Sequence, residues 1–471
     1  MDDEDRRARQ CPGRRDFFRR TGALVGGMVL AAATPGWLRG AAYAGGTEGL
    51  EKTKLTFGII PLTDCAPIVI AAEKGYFKKF GLDVTVSQEA SWANIRDKVS
   101  LGVLDGAHML GPMPIAATLG VGALRKPTIT GYMMDLNGNG ITVSNALYER
   151  MLEADPESMH ERPVSARALK KVIDADRKKG RPAMTFAQVF PVSTHNYQLR
   201  YWMAAAGIDP DNDVRLIVIP PPQMVANLRA GNIVGYCVGE PWNERAVKAG
   251  LGRALITSYE LWNNNPEKVF GVNLEWAEKN PNTHKAAIMA MLEAARWMDR
   301  PENRMEVVEI ISRRSYVHAP VDVVKMSMTG TFQYAQDEKP RPLPDFNVFY
   351  RYAATFPWHS HAQWFISQMI RWGQITQPVD IRKLSQEVYR LDLYREAAKE
   401  LGIAYPTIDA KTEGTHRADW ELVQATAPIT MGPDRFFDGK VFDPARLMEY
   451  LTSFKVQHAQ VSPQALARLN P

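Results

Sequence analysis

The sequence predicts an α/β protein of two lobes, with a ligand cleft between them and a long helical C-terminal extension. Three observations predict it. Short apolar strands alternate with helical segments after Lys54, the pattern of a sheet covered by helices. The alternation occurs in two stretches, parted by a charged helical stretch at residues 150–180. Beyond Asn280 the strand pattern fades and the chain reads as mostly helical. The length of 471 residues also exceeds what one domain ordinarily holds.

The elements follow in order. Leu55, Phe57 and Ile59 alternate with smaller residues and predict a first strand. Pro61-Leu62-Thr63-Asp64 then opens a helix to about Lys74, with Thr63 or Asp64 as N-cap and Gly75 as its stop. Val84 and Val86 mark a second strand, and Ser91-Trp92 starts a helix that ends at Gly102. Gly106–Leu110 reads as a strand, and Gly111-Pro112-Met113-Pro114 leads into another helix. In the second stretch, Met184-Thr185-Phe186 is a strand and Thr194-His195 opens a helix through Ala206. Leu216–Ile219 is a strand, Gln223–Ala230 a helix, and Val234–Val238 a strand before the Gly239-Glu240-Pro241-Trp242 loop. Such alternation argues for parallel sheets. Ala286–Met298 and Ser360–Trp372 are helices, and the Pro- and Gly-bearing stretch from Thr407 wraps the surface.

The N-terminus carries Arg14-Arg15-Asp16-Phe17-Phe18, a mild apolar run over Thr21–Ala33, and Ala42-Tyr43-Ala44. That order reads as a bacterial twin-arginine export signal over residues 1–44, so the expected compartment is the periplasm. The run is Gly-rich and shorter than the ~20 residues of a membrane span, so no membrane insertion is expected after cleavage. The net charge of +5 is partly the signal's, since residues 1–44 hold eight Arg against five Asp and Glu. No basic stripe with interleaved aromatics calls for nucleic acid. Cys11 precedes the apolar run, so it is no lipid-anchor cysteine. Cys65 and Cys237 sit in apolar contexts and are expected as buried free thiols, and no Cys/His spacing resembles a metal site.

One set of strings is specific. Leu55–Pro67, then Glu73-Lys74-Gly75-Tyr76-Phe77 and Gly81-Leu82-Asp83-Val84, resemble the periplasmic solute-binding proteins of ABC importers. The Trp92, His108, Pro220-Pro221-Pro222 and Gly239-Glu240-Pro241-Trp242 neighbourhoods narrow the likeness to the nitrate- and bicarbonate-binding branch, as do Asn265–Val272 and Trp276–Pro281. The resemblance covers roughly residues 53 to 460. It implies a type II periplasmic-binding fold, with residues 50–142 and 262–471 as one lobe with its extension and 143–261 as the other. It implies nitrate, and also nitrite, as ligand, no cofactor, no catalysis, and an ABC permease with its ATPase subunits as partners. By motif, the ligand residues fall on Trp92, Asn139, His195, Gly239, Glu240 and Lys268. Asn139 stands where the family often has Gln, one methylene longer.

Nitrate is a planar monoanion with no proton to give, so its site needs donors and a positive charge. Trp92 offers an indole N–H, His195 a ring at a helix start, and Lys268 the charge. An ionised Glu240 would repel the anion. It therefore acts through its backbone, pairs with Lys268 or His195, or is protonated. Bicarbonate can give its O–H to a carboxylate, so Glu240 alone does not choose the ligand. The resemblance gives the bicarbonate branch an acidic residue and calcium where this chain has Lys268, which favours nitrate. Taken singly, Trp92 reads as core, His195 as a cap and Lys268 as a solvated loop residue. His108 reads as a satisfied structural histidine, and Tyr197, Arg200, Trp202 and the Trp358–Trp364 cluster as packing. The rival functions are bicarbonate or cyanate binding, a cytoplasmic nitrate sensor, and a desulfinase-like enzyme using Cys65 as nucleophile.

Overall fold

A computed structural model describes residues 49–470. The export signal expected over residues 1–44, with Cys11, lies outside the described residues. Two five-stranded sheets form the frame. The first eleven strands in chain order are β1 (Lys54–Ile59), β2 (Asp83–Gln88), β3 (Gly106–Leu110), β4 (Thr128–Met133), β5 (Leu136–Asn137), β6 (Asn139–Ser144), β7 (Thr185–Gln188), β8 (Arg215–Val218), β9 (Gly235–Gly239), β10 (Gly252–Thr257) and β11 (Lys268–Asn273), and all but β5 build these sheets. The first sheet has the order β2-β1-β3-β11-β4, the second β10-β6-β9-β7-β8, and β5 pairs outside both.

The sheets are mixed, which corrects the expectation of parallel sheets. β1, β2 and β3 run parallel, but β11 is antiparallel to β3 and β4. In the second sheet β7, β8 and β9 run parallel, and β6 is antiparallel to β9 and β10. The reason is the chain path. β6 and β11 are each entered from the opposite sheet, so each starts at the edge where the parallel strands end. Lys268 opens β11 beside Leu110, the last residue of β3. Asn139 opens β6 beside Gly239, the last residue of β9. Strand patterning missed β4, β6, β10 and β11, because buried strands show no polar alternation.

The helices form largely where their caps predict. The Ser91 side chain accepts from Asn94 N–H at 3.2 Å and starts Trp92–Ser100. Ser193 accepts from Asn196 N–H at 3.0 Å and starts Thr194–Ala205. The first helix differs from expectation. Thr63–Cys65 forms one 3₁₀ turn, and the α-helix spans Ala66–Glu73 without a side-chain cap. Neither Thr63 nor Asp64 caps it, because the Asp64 carboxylate is bonded elsewhere. The extension contains the helix His359–Arg371 and ends in the helices Leu447–Thr452 and Pro463–Leu469.

The core of the first sheet centres on Phe57, whose ring meets Phe270 edge-on at 4.9 Å and Phe77 at 5.5 Å. All three rings are buried. Phe57→Ala removes the shared contact surface and leaves a cavity, so a loss of about 3–5 kcal/mol is expected. Urea unfolding followed by circular dichroism checks it.

Candidate functional site

The carboxyl ends of β1, β3 and β9 and the first residues of β6 and β11 meet at one buried polar cluster. Its centre is Lys268, fully buried at the start of β11 and not in a solvated loop. Its Nζ donates to Asp64 Oδ2 at 2.7 Å and to Glu267 Oε1. The other Asp64 oxygen lies 2.9 Å from His108 Nε2. His195 Nε2 lies 3.6 Å from Glu267 Oε1. The Trp92 ring sits 5.7 Å from Lys268 Nζ and edge-on to His108 at 5.1 Å. A Cβ on Gly239 would lie 3.4 Å from Asp64 Oδ2 and 3.3 Å from Asn139 Oδ1. Residues from both sheets therefore converge here.

Five of the six residues read from the sequence, Trp92, Asn139, His195, Gly239 and Lys268, are brought to this cluster. The Glu240 carboxyl is not. Its Oε2 accepts from Glu244 N–H at 3.1 Å, so it serves the first turn of the helix Trp242–Lys248. The Glu240 backbone still borders the cluster, through its carbonyl accepting from Thr63 N–H at 2.8 Å. Its own N–H donates to Gly138 O at 3.2 Å. Neither pairing offered from the sequence, with Lys268 or with His195, is present. Asn139 Nδ2 donates to Gln198 Oε1 at 3.0 Å.

Asp64 and Glu267 went unread. Asp64 was masked by its resemblance to a helix cap, and Glu267 by its place in a Pro-bounded string. His108 is a satisfied histidine, as expected, but its partner is a cluster member. Buried polar groups nearly always find partners. Here Thr63 Oγ1, Trp92 Nε1, Asn139 Oδ1, both His195 ring nitrogens and Glu267 Oε2 have no hydrogen-bond partner among the described residues. Orphan donors and acceptors of this density mark a place built for a polar ligand. Two helices also begin at it, Trp92–Ser100 and Thr194–Ala205, and each adds the positive end of its dipole.

The electrostatics are set by burial and by Lys268. Burial pushes the Asp64 carboxyl up, but the Lys268 ammonium and His108 outweigh it, and Asp64 ends well below the usual carboxylate range. Burial pulls Lys268 down, but the Asp64 and Glu267 carboxylates pull it up further, so the ammonium stays charged. Burial, aided by Lys268, drives His195 well below its ordinary value, so its ring is neutral. His108 is lowered as well, by burial against the pull of Asp64. Burial pushes Glu240 up to about 8.

A second feature lies elsewhere. A cavity of about 500 Å³ is lined by Tyr350, Tyr352, Tyr394 and Ile429 among others, all distant in sequence from the cluster residues. Among the described residues, Asp209, Asp211 and His458 are grouped closely enough to share a cation. Arg200 already bonds both Asp211 oxygens, at 2.6 and 2.9 Å.

The comparisons with known proteins follow the same geometry. The NMT1-like family model matches residues 48–312. The chain belongs to the NMT1-like family. It is 34% identical to the nitrate/nitrite binding protein NrtA of Nostoc sp. over 94% of this chain and 98% of that protein. It is 32% identical to the bicarbonate-binding protein CmpA of Synechococcus elongatus over 88% and 90%. The crystal structure of the periplasmic nitrate-binding protein NrtA from Synechocystis PCC 6803 superposes with a TM-score of 0.75, at 33% identity, over 86% of this chain and 100% of that one. The chain thus has the α/β periplasmic-binding fold. These relatives are named as binding proteins, and no described helix of this chain is long and apolar enough to cross a membrane.

Cys65 and Cys237 are free and buried, as expected. Burial, with Asp64 adjacent, pushes the Cys65 thiol well up, the reverse of what a nucleophile needs. A thiol reagent at neutral pH should therefore label Cys65 negligibly in the folded protein and fully after denaturation. Fast labelling of the folded protein would restore the nucleophile reading.

Glu240 yields a second test. Its folded value near 8 lies above its ordinary 4.5, so the folded state holds the proton longer than the unfolded chain. Its contribution is fully present below pH 4.5 and is lost as pH rises toward about 8. Glu240→Gln keeps an acceptor for Glu244 N–H and should flatten the fall in melting temperature over that window.

Proposed function

We propose that this protein is the extracytoplasmic solute-binding component of an ABC importer for nitrate, and also nitrite. It is exported by the twin-arginine signal over residues 1–44 and takes the anion between its two sheets. It hands the anion to a permease energised by ATPase subunits. The observation that carries this reading is the buried ammonium of Lys268 set among the orphan donors of Trp92 and His195. An ammonium with planar N–H donors and two helix N-termini matches a small planar monoanion. The named binding activity of the NrtA relatives supports the same choice. The two sheets act as lobes that close by hinge motion about the crossovers, residues 134–138 and 258–267.

A second reading, bicarbonate, is favoured by one observation. Glu267 Oε2 is a buried acceptor without a partner, and bicarbonate has an O–H to give it. Calorimetry of the purified protein with sodium nitrate, sodium nitrite and sodium bicarbonate, each with and without calcium, separates the two. Nitrate heat without calcium is expected. Bicarbonate heat with calcium and none with nitrate would reverse the assignment.

Two variants test the site itself. Lys268→Met removes a charge-assisted bond of about 1.5–3 kcal/mol and should weaken nitrate binding about 10- to 150-fold. Because it also strands Asp64 and Glu267, its melting curve is measured alongside. Trp92→Phe keeps an aromatic ring but removes the five-membered ring with its N–H, so a loss of at least about fivefold is expected. Unchanged affinity in both would remove these residues from the site.

A further inference from the structure

The cluster holds an arrangement that an anion site should not have. Glu267 Oε1 accepts from Lys268 Nζ and lies 3.6 Å from His195 Nε2. It therefore occupies the position between the two residues best suited to hold an anionic oxygen. The Glu267 backbone is held one residue before β11, its carbonyl accepting from Gly111 N–H at 2.9 Å. We propose that Glu267 is the anion's internal competitor, and that nitrate binds together with one proton, taken from solvent onto the Glu267 carboxyl. The proposal rests on the nitrate reading above and specifies how that site accepts its ligand.

The groups around Glu267 decide where the proton goes. On its own strand stands Lys268, which is charged. From the turn after β1 comes Asp64, with Lys268 bonded to one oxygen and His108 on β3 lying 2.9 Å from the other. From the segment after β4 comes Asp135, whose Oδ1 accepts from Lys268 N–H at 3.0 Å. The helix Thr194–Ala205 presents Thr194 and His195, β9 presents Cys237, and Tyr389 donates to Gly111 O at 2.8 Å. A nitrate oxygen beside Lys268 would face Asp64 and Glu267 together, and like charges that close are not all kept ionised. Asp64 is the better stabilised of the two anions, with a partner on each oxygen. Burial drives the Asp135 carboxyl well up, so it already holds its proton. Glu267 is bonded to the ammonium at Oε1 only, with the Thr194 hydroxyl beside the carboxyl, and burial has moved that carboxyl up from the ordinary range. It is the group that protonates when a third negative charge arrives.

The chemistry is a simple proton uptake. The ionised carboxylate gains a proton from solvent, and no other bond forms or breaks. The resulting O–H can donate to nitrate, which has only acceptors, and Lys268 is freed from one of its two carboxylates. Bicarbonate differs, because it brings its own O–H to an ionised Glu267 and needs no proton from solvent. The proton count therefore reports on the class of anion. The sign follows from linkage. Binding raises the Glu267 carboxyl further, so a proton is taken up between its free and bound values, and affinity falls with rising pH there by up to about tenfold per unit.

The test is calorimetry of the full protein with sodium nitrate in pairs of buffers of different ionisation enthalpy, over a range of pH on either side of neutrality. An uptake approaching one proton is expected within that range, with affinity falling as pH rises. Glu267→Gln should bind nitrate with no proton uptake and a flat pH profile. If that variant does not fold, His195→Gln decides the matter beside the wild type: uptake retained there keeps the proton on the carboxyl, and uptake lost there would overturn the proposal. No uptake and a flat profile in the wild type would overturn the proposal while leaving nitrate binding intact. Uptake that persists in Glu267→Gln would overturn it too, by placing the proton on another group such as His195. No nitrate heat under any condition would overturn the nitrate reading itself.

Discussion

The buried ammonium of Lys268 is the interaction on which the rest of the site depends. A lysine with no exposure needs compensating charge, because burial alone would strip its proton. Asp64 supplies most of that compensation, and in turn holds His108. Glu267 supplies the rest and stands against His195. Remove the ammonium and two carboxylates lose their reason to be ionised in the interior. The cluster is thus a balanced set of charges rather than a purely positive hole.

The same cluster explains why the two sheets are mixed. A positive charge and an amide are needed where the parallel strands end, since ligand sites of open α/β sheets lie there. Strands that cross from one sheet to the other start at that edge, and β6 and β11 deliver Asn139 and Lys268 as their first residues. The crossovers are tied together by amides. Asn137 N–H donates to Asn265 O at 2.9 Å, and Asn265 Nδ2 donates to Asn137 Oδ1 at 2.9 Å. Gln198 extends the tie, donating to Asn265 Oδ1 at 2.9 Å and accepting from Asn139. This amide chain runs from the strap between the sheets into the site, so opening the cleft and rearranging the site involve neighbouring bonds.

Much of the fold was legible. Ser91 caps the helix start read there, Gly102 and Gly231 end their segments with positive φ, and the apolar alternation of Leu55, Phe57 and Ile59 gives β1. What misled was local plausibility. Asp64 has the right place for a helix cap, yet Lys268, 204 positions away, claims its carboxylate. Glu240 has the right motif for a ligand residue, yet the nearest free N–H groups belong to its own helix, and its carboxyl turns to them. Lys268 follows a Pro-bounded segment that resembles a solvated loop, and its burial has no local sign.

The sequence by itself determined the α/β class, several helix starts and glycine stops, the family likeness and five of the residues that meet at the cluster. These follow from periodicity and short motifs, which act over a few residues. The tertiary structure alone decided that β6 and β11 run antiparallel, that Asp64 pairs with Lys268, and that Glu267 lies between Lys268 and His195. Those depend on charges brought together from strands far apart in the chain. Their energies arise only once water is excluded from the space between the sheets.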